Sequence, residues 1–535
     1  MSCALALVAA GALAGFWWSW PPSGEPAEVA LKGFLTVAVL AALAAARLAP
    51  VGHRRRPRLA IHAACAAAAI AAHYNFGAFH FPQFTHYWEQ FHYELGARYF
   101  PELGYDGLYV ASILAEREIE PARPEPRNAR DLRTNRVRRY FRIEDHAREV
   151  RERFAPQRWR AFVADHAHFV RVIHPDDLAA MRRDHGYNPS PTWTAVARLL
   201  QGEGRFDAAK LVRLGAMDSV LLAIAFVALF RTFGARIGCT CLIVFGLGYA
   251  ARYKWVGGAY LRFDWVAALV LAVCALRRER AATAGALLGY ATAVRIFPVA
   301  FLFGPAVVAV AAFARGERPR WPLRLFAGFG AALAVAVLAG SLTGRGAGAW
   351  GEFAERLQLY QITTARNAVG LEWLVFYGGE TLERAAAATA EPWQLQREDV
   401  AQRKQERRFA LMVVQALILV LLAAAVWRAP PEVATVASMV ALFTLTSSAC
   451  YYWALLLLAP VAWGFPAVAG LLAVNGAMYL LHPLESDNLV RYGLLSWGLA
   501  LLFVAVLSPA AIRTLRGVGG RLRSASVGTA TALER

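Results

Sequence analysis

Between residues 86 and 109 the chain crowds acids, histidines and aromatic rings together: His86-Tyr-Trp-Glu89-Gln-Phe-His92-Tyr93-Glu94-Leu-Gly96-Ala-Arg98-Tyr-Phe-Pro101-Glu-Leu-Gly104-Tyr-Asp106-Gly-Leu-Tyr109. On a helix, Glu89, His92, Tyr93 and Gly96 fall at i, i+3, i+4 and i+7 and share one face. Glu94 stands off Glu89 by about 140°, at roughly 100° per residue. Pro101 and Gly104 then break the helix, which leaves the orientation of Asp106 open. A carboxylate held among aromatic rings at a membrane surface has a raised pKa, and that suits a general base. Glu89 is therefore the first candidate base and Asp106 the second. The competing reading is an interfacial aromatic belt with ordinary solvated acids.

A second group of residues carries positive charge where it is costly. Arg295 is the one charged residue between 281 and 313. A cation between apolar helices is a functional candidate by default, against the alternative of an arginine snorkelling from a hairpin turn. The link Arg252-Tyr-Lys254-Trp-Val-Gly-Gly-Ala-Tyr-Leu-Arg262-Phe-Asp264 adds three cations and a glycine pair that lets another backbone approach. Phosphate clamping by Arg252, Lys254 and Arg262 is one reading, and a structural Arg262–Asp264 pair is the other. In Asp184-His-Gly-Tyr-Asn188-Pro-Ser-Pro-Thr-Trp193, a turn-rich stretch, Asn188 and Trp193 have the chemistry to hydrogen-bond and stack on a sugar. Arg366, Asn367 and Tyr452 are further candidates for lining a cavity. His166, His168, Asp165 and His174 lack the spacing of a metal site, so no metal or other cofactor is expected.

The elements that must position these residues are membrane helices. Of 535 residues, 58% are hydrophobic and 18% charged, and the apolar residues come in runs at 4–16, 34–46, 59–72, 220–230, 326–339, 411–426 and 494–507. In hydrocarbon such runs must be helices, because only helices satisfy their own backbone. No ten-residue alternation of a β-barrel is visible. The net charge of +19 sits largely in short clusters at 53–58, Arg231 with Arg236, 277–280, 315–324 and 513–523. Short basic loops mark the cytoplasmic side, and this distribution argues against a nucleic-acid partner. The six cysteines lie in apolar stretches without a pairing pattern.

With those clusters inside, one topology follows: an all-α polytopic protein of the plasma (inner) membrane with about 12–14 spans and both termini cytoplasmic. The N-terminal run, with Trp17, Trp18 and Trp20, is expected to be a span and not a signal peptide. Residues 1–79 form the first membrane helices. Residues 80–214 form a large outer segment carrying the candidate catalytic stretch. Residues 215–342 form a central bundle, including two spans around Arg231 and Arg236 and a hairpin over 281–313 with Arg295 at its outer turn. Residues 343–407 form a second outer segment, residues 408–512 the last membrane helices, and residues 513–535 a basic cytoplasmic tail. Trp350, Phe353, Leu357 and Tyr360 recur at helical spacing, which fits either an amphipathic helix in the interface or a helix of a folded outer segment.

Glu89-Gln-Phe-His-Tyr-Glu-Leu-Gly96-Ala97 resembles the motif Asp-x-x-Val-Tyr-x-x-Gly-Ala of family 87 of the GT-C glycosyltransferases. Asp106-Gly-Leu-Tyr109 is similar in part to that family's Gly-x-x-Leu-Tyr pattern. The stretch from Gly285 to Arg295-Ile-Phe-Pro298 is similar to its small-residue helix ending in a basic residue and a proline. The resemblance implies a mannosyltransferase-like GT-C bundle whose donor is a polyprenyl-phosphate sugar and whose acceptor is an envelope lipid or glycan. It implies inverting transfer on the non-cytoplasmic face, a carboxylate base at Glu89 and a phosphate-stabilising cation at Arg295. Three departures bear on the acceptor: Glu replaces Asp, two extra spans precede the motif, and the first outer segment is unusually long. A multi-pass transporter or lipid flippase is the alternative, but no internal repeat is visible and few acids fall inside spans.

Overall fold

The computed structural model describes residues 11–12, 15, 23–48, 55–123, 126–361, 365–376 and 401–533. Most of the expected first span, residues 53–54 of the 53–58 cluster, residues 377–400 and the end of the basic tail lie outside the described residues.

Backbone that must satisfy itself dictates helix, and the described chain is mostly helical. Among the described residues seven helices are long and apolar enough to cross a membrane: Glu25–Leu48, Ala208–Gly246, Phe297–Ala314, Trp321–Gly340, Arg408–Val426, Cys450–Leu481 and Asn488–Arg516. Trp321–Gly340 and Arg408–Val426 leave large apolar side chains such as Leu323, Leu338, Phe409 and Leu417 exposed, as helices facing lipid do.

Helix length explains part of the distance between seven helices and the 12–14 spans expected, and the apolar run at 59–72 lies in Arg55–His73, which is not among the seven. Asp264–Arg277 and Ala281–Arg295 have 14 and 15 residues, so at 1.5 Å per residue they reach only about 21–23 Å against a hydrocarbon core of about 30 Å. Both are largely buried by their neighbours. Ala281–Arg295 lies tight against Trp321–Gly340 through small residues; a Cβ added at Gly289 would fall 2.6 Å from the Phe329 carbonyl oxygen. Around Arg231 and Arg236 the chain runs as a single 39-residue helical stretch interrupted at Gly234, where φ is 82°. Glycine alone tolerates that geometry cheaply, and the break yields the two arms the basic turn led one to expect.

The stretch 80–214 contains a small helical unit. Prolines open the helices Pro156–Val172, Pro175–Met181 and Pro191–Gln201, where a missing N–H costs nothing. Phe154, Trp159 and Phe162 pack with Tyr99 as its core. Strands β1 (Asn128–Asp131) and β2 (Arg136–Arg139) pair as an antiparallel hairpin on its surface. Further along the chain, Gly348–Gln361 rests its apolar side on this unit, with Phe353 against Tyr105 at 6.0 Å between ring centroids and Arg356 donating to the Leu132 and His185 carbonyls. The face left exposed holds Gly351, Ala354, Glu355 and Gln358. That is the packing of a helix docked on a folded segment, and it leaves no apolar stripe for the bilayer interface. A second short sheet pairs β3 (Ala368–Val369) with β4 (Ser448–Ala449) and so sets Asn367 beside Cys450, Tyr451 and Tyr452.

Candidate functional site

The site begins with a helix that changes pitch. His86 caps Tyr87–Gln90 by accepting from the Glu89 N–H at 3.3 Å, the next turn over Phe91–Leu95 is a π-helix, and α-geometry resumes at Gly96–Arg98. A single π turn inside a helix re-aims side chains and is frequent at functional sites. Here Glu89, His92 and Tyr93 all face one cavity of about 1530 Å³. Gly96 faces away, against the Tyr187 ring, where any side chain would collide. Glu94 is wholly buried on the far side of the helix, both carboxylate oxygens without a hydrogen bond, and burial pushes it well above the usual carboxylate range despite Lys210.

Arg262 stands directly behind Glu89. The link that carries it is pulled against the start of the outer segment at the glycine pair. The Gly257 oxygen lies 2.8 Å from His80 Nε2, the His86 N–H donates to the Gly258 carbonyl at 3.2 Å, and Gly258 has a φ of 67°. Asp218 then accepts from the Arg262 and Phe263 N–H groups at 2.8 and 3.0 Å. The Arg262 guanidinium lies between the Tyr93 and Tyr451 rings, 4.1 and 5.1 Å from their centroids, with Nε 3.0 Å from Glu89 Oε2. The two groups are close but misaligned, so the contact is an ion pair and not a hydrogen bond. Burial raises the Glu89 pKa, Arg262 and His92 oppose it, and the net position is above the ordinary glutamate value.

Arg295 enters the same cavity from the end of Ala281–Arg295. Its Nη2 donates to the Leu261 carbonyl at 3.1 Å, its guanidinium lies 5.6 Å from the Trp193 ring centroid, and its Nε is buried without a partner. The next residue, Ile296, has φ 60° and ψ −58°. For a β-branched residue that costs on the order of 1–3 kcal/mol, strain of the kind stored at ligand sites.

The opposite rim comes from the turn-rich stretch. Asp184 accepts from Trp88 Nε1 and from the His185 N–H, each at 2.8 Å. Burial alone would raise its pKa, but His92, His185 and the Trp88 bond hold it below the ordinary value, so it stays anionic. Tyr93 donates to Asn188 Oδ1 at 2.8 Å. The Gly186 N–H donates to the Tyr109 oxygen, the Tyr109 hydroxyl lies 2.8 Å from His92 Nε2, and His92 Nδ1 lies 2.7 Å from the Trp88 carbonyl. That chain of partners assigns the proton to Nδ1.

Of the residues singled out in the sequence, Glu89, His92, Tyr93, Lys254, Arg295, Arg366, Asn367 and Tyr452 line the cavity, and Arg262 lies behind its wall. Arg366 is also held by Asp487 at 3.0 Å, and Lys254 by Glu25. Asn188 also lines the cavity, but Trp193 is wholly buried outside it, with Nε1 donating to the Leu261 carbonyl at 2.9 Å, and so offers no ring to a sugar there. Three further expectations need correction. Arg252 turns away to Glu25 and Glu28, at 3.4 and 3.6 Å, because those acids leave it no reason to face the cavity. Asp106 is held by Arg153 at 2.9 Å and His146 at 3.3 Å, outside the cavity. Arg262 pairs with Glu89 and not Asp264, which accepts from Tyr290. Sequence reasoning passed over Asp184 and His185 as acid and base candidates. Their signal is tertiary, a Trp88–Asp184 bond across 96 residues.

The cavity has two characters. Glu89, His92, Asp184, His185 and Asn188 bring polar groups to its lining and Ile296, Phe297, Trp373, Phe376 and Leu445 bring apolar surface, with Arg295 and the Glu372–Lys404 ion pair among them. Its volume exceeds the roughly 300–1,000 Å³ of sites for small ligands. No protein-family model, curated protein or solved structure matches this chain.

Proposed function

We propose that the protein is an integral-membrane glycosyltransferase of GT-C type that moves a sugar from a polyprenyl-phosphate donor to an envelope lipid or glycan acceptor. The observation that carries the reading is that a half-buried Glu89 whose pKa is raised and the arginine Arg295 line one cavity. Glu89 takes the proton of an acceptor hydroxyl, and that oxygen attacks the anomeric carbon from the face opposite the phosphate. The bond between that carbon and the phosphate oxygen breaks, the carbon inverts, and the lipid phosphate leaves with its negative charge increased. A cation already in place at Arg295 stabilises that growing charge without reorganisation. Arg262 opposes the rise in the Glu89 pKa that burial causes, favouring the form that accepts the proton. The apolar lining residues offer surface to the first prenyl units and the polar ones offer hydrogen-bonding groups to the sugar.

A transporter is the second reading, favoured by the buried Lys32–Glu28 pair at 2.7 Å near the start of Glu25–Leu48. Purified protein incubated with polyprenyl-phosphate sugars and followed by mass spectrometry separates the two. Breakdown of donor into polyprenyl phosphate supports the enzyme; intact donor moved across proteoliposomes supports the transporter.

A further inference from the structure

The most strongly charged surface of the outer segment lies beside the cavity. Residues 126–142 contain seven arginines and a single acid, Asp131. Two of these arginines are used within the fold. Arg130 donates to the Asn135, Arg183 and Asp184 carbonyls at 2.7–2.9 Å, and Arg133 pairs with Asp131 at 3.2 Å. The first of these clamps the hairpin to the loop that forms the cavity rim, and Asn135 Oδ1 at its turn lies 3.2 Å from His185 Nδ1. The remaining five, Arg127, Arg136, Arg138, Arg139 and Arg142, have no carboxylate partner among the described residues, and all but the half-buried Arg138 are exposed. Arg183, exposed on the rim itself, continues the row into the cavity.

Charge on an edge strand also keeps it from pairing with another chain. That purpose needs no arginines beyond the strand, yet Arg127 and Arg142 lie outside β1 and β2. Nor does it need exposed apolar surface, and Val137 and Phe141 are 45% and 63% exposed among the arginines. Guanidinium groups that bind carboxylates or phosphates in fork geometry, interleaved with a ring on which a pyranose face can pack, are the chemistry of an acidic glycan surface.

We propose that the β1–β2 hairpin is the docking surface for an acidic glycan acceptor, whose anionic units lie along the arginines and whose growing end passes Arg183 into the cavity. This rests on the glycosyltransferase reading for the word acceptor, but its test does not use turnover. Purified full-length protein in detergent is titrated with a fluorescent oligogalacturonate, with neutral dextran of equal length, and with phosphatidylglycerol vesicles. Oligogalacturonate binds, dextran does not, and the affinity falls as salt is raised. The double variant Arg136→Ser/Arg139→Ser, whose side chains make no hydrogen bond or ion pair among the described residues, weakens binding about ten-fold or more, and the single reversal Arg139→Glu weakens it in the same direction. Unchanged oligogalacturonate binding in both variants overturns the proposal, as does hairpin-dependent binding of the vesicles in place of the glycan. If the surface binds as stated but the donor is never broken down, the glycosyltransferase reading has failed and the glycan surface has not.

Discussion

Exchanging Arg262 for methionine removes the one cation in direct contact with Glu89 while keeping an apolar stem between the Tyr93 and Tyr451 rings. With Nε 3.0 Å from Oε2, the charge centres lie about 4 Å apart, worth about 4 kcal/mol of attraction at an effective dielectric near 20. Its loss leaves a half-buried carboxylate with only Arg295 and His92 to offset its burial, which disfavours the charged form. The sign follows directly. Glu89 is already raised by burial, and Arg262 is the largest influence holding it down, so Arg262→Met moves its pKa further up. A base works deprotonated, so turnover climbs with pH through the Glu89 pKa, and the acid limb of the variant shifts to higher pH. His92, Asp184, Arg295 and Tyr93 also face Glu89, and His86, lowered to about 4 chiefly by burial, is neutral across the working range. The assay is donor turnover measured from about pH 5 to 9 for the wild type, Arg262→Met and Arg262→Lys, with lysine partly restoring the wild-type limb. An acid limb that stays put or moves down in Arg262→Met refutes the role given to this arginine.

Arg295→Ala should lower turnover by about two orders of magnitude or more while the protein stays in the membrane, and Arg295→Lys should recover part because a point charge survives. Failure of both variants to accumulate makes the residue structural. Asp106→Asn should leave turnover within about three-fold of wild type but reduce the thermal stability of the outer segment at neutral pH. Burial would raise the Asp106 pKa, yet the Arg153 hydrogen bonds and charge hold it below the ordinary aspartate value. Its contribution is therefore present above that ordinary value and fades as pH falls through the lower folded pKa, so the two melting curves should converge in acid. A single cysteine at Asn128, exposed on the hairpin, should react with a membrane-impermeant thiol reagent in intact cells. Labelling only after lysis reverses the topology.

What could be read before the fold was known is what local spacing controls. Uninterrupted apolar runs marked Glu25–Leu48, Trp321–Gly340 and Arg408–Val426 as helices of spanning length. A lone charge in a run too long for one helix and too short for two full spans placed Arg295 at a turn, where the strained Ile296 now makes the corner. Helical spacing grouped Glu89, His92, Tyr93 and Gly96; the first three line the cavity, but Gly96, beyond the π turn, faces the Tyr187 ring. Long-range partners were beyond reach. Arg252 and Arg262 are ten residues apart on one link and look alike in sequence, but Glu25 and Glu28 claim the first and Glu89 the second. Asp106 follows a proline–glycine break, so nothing local pointed it at Arg153. The short central helices were counted as spans because hydropathy registers apolarity and not whether protein or lipid supplies the surroundings.

The claim on which everything else depends is that Glu89 is the base in this cavity. Release of polyprenyl phosphate from a polyprenyl-phosphate sugar, followed by mass spectrometry for purified wild type, Glu89→Gln and Glu89→Asp, measures it most directly. A base acts in the transition state, so Glu89→Gln should lose about two to four orders of magnitude in turnover with donor binding little changed, and Glu89→Asp should keep measurable activity. Near-normal turnover in Glu89→Gln contradicts the account.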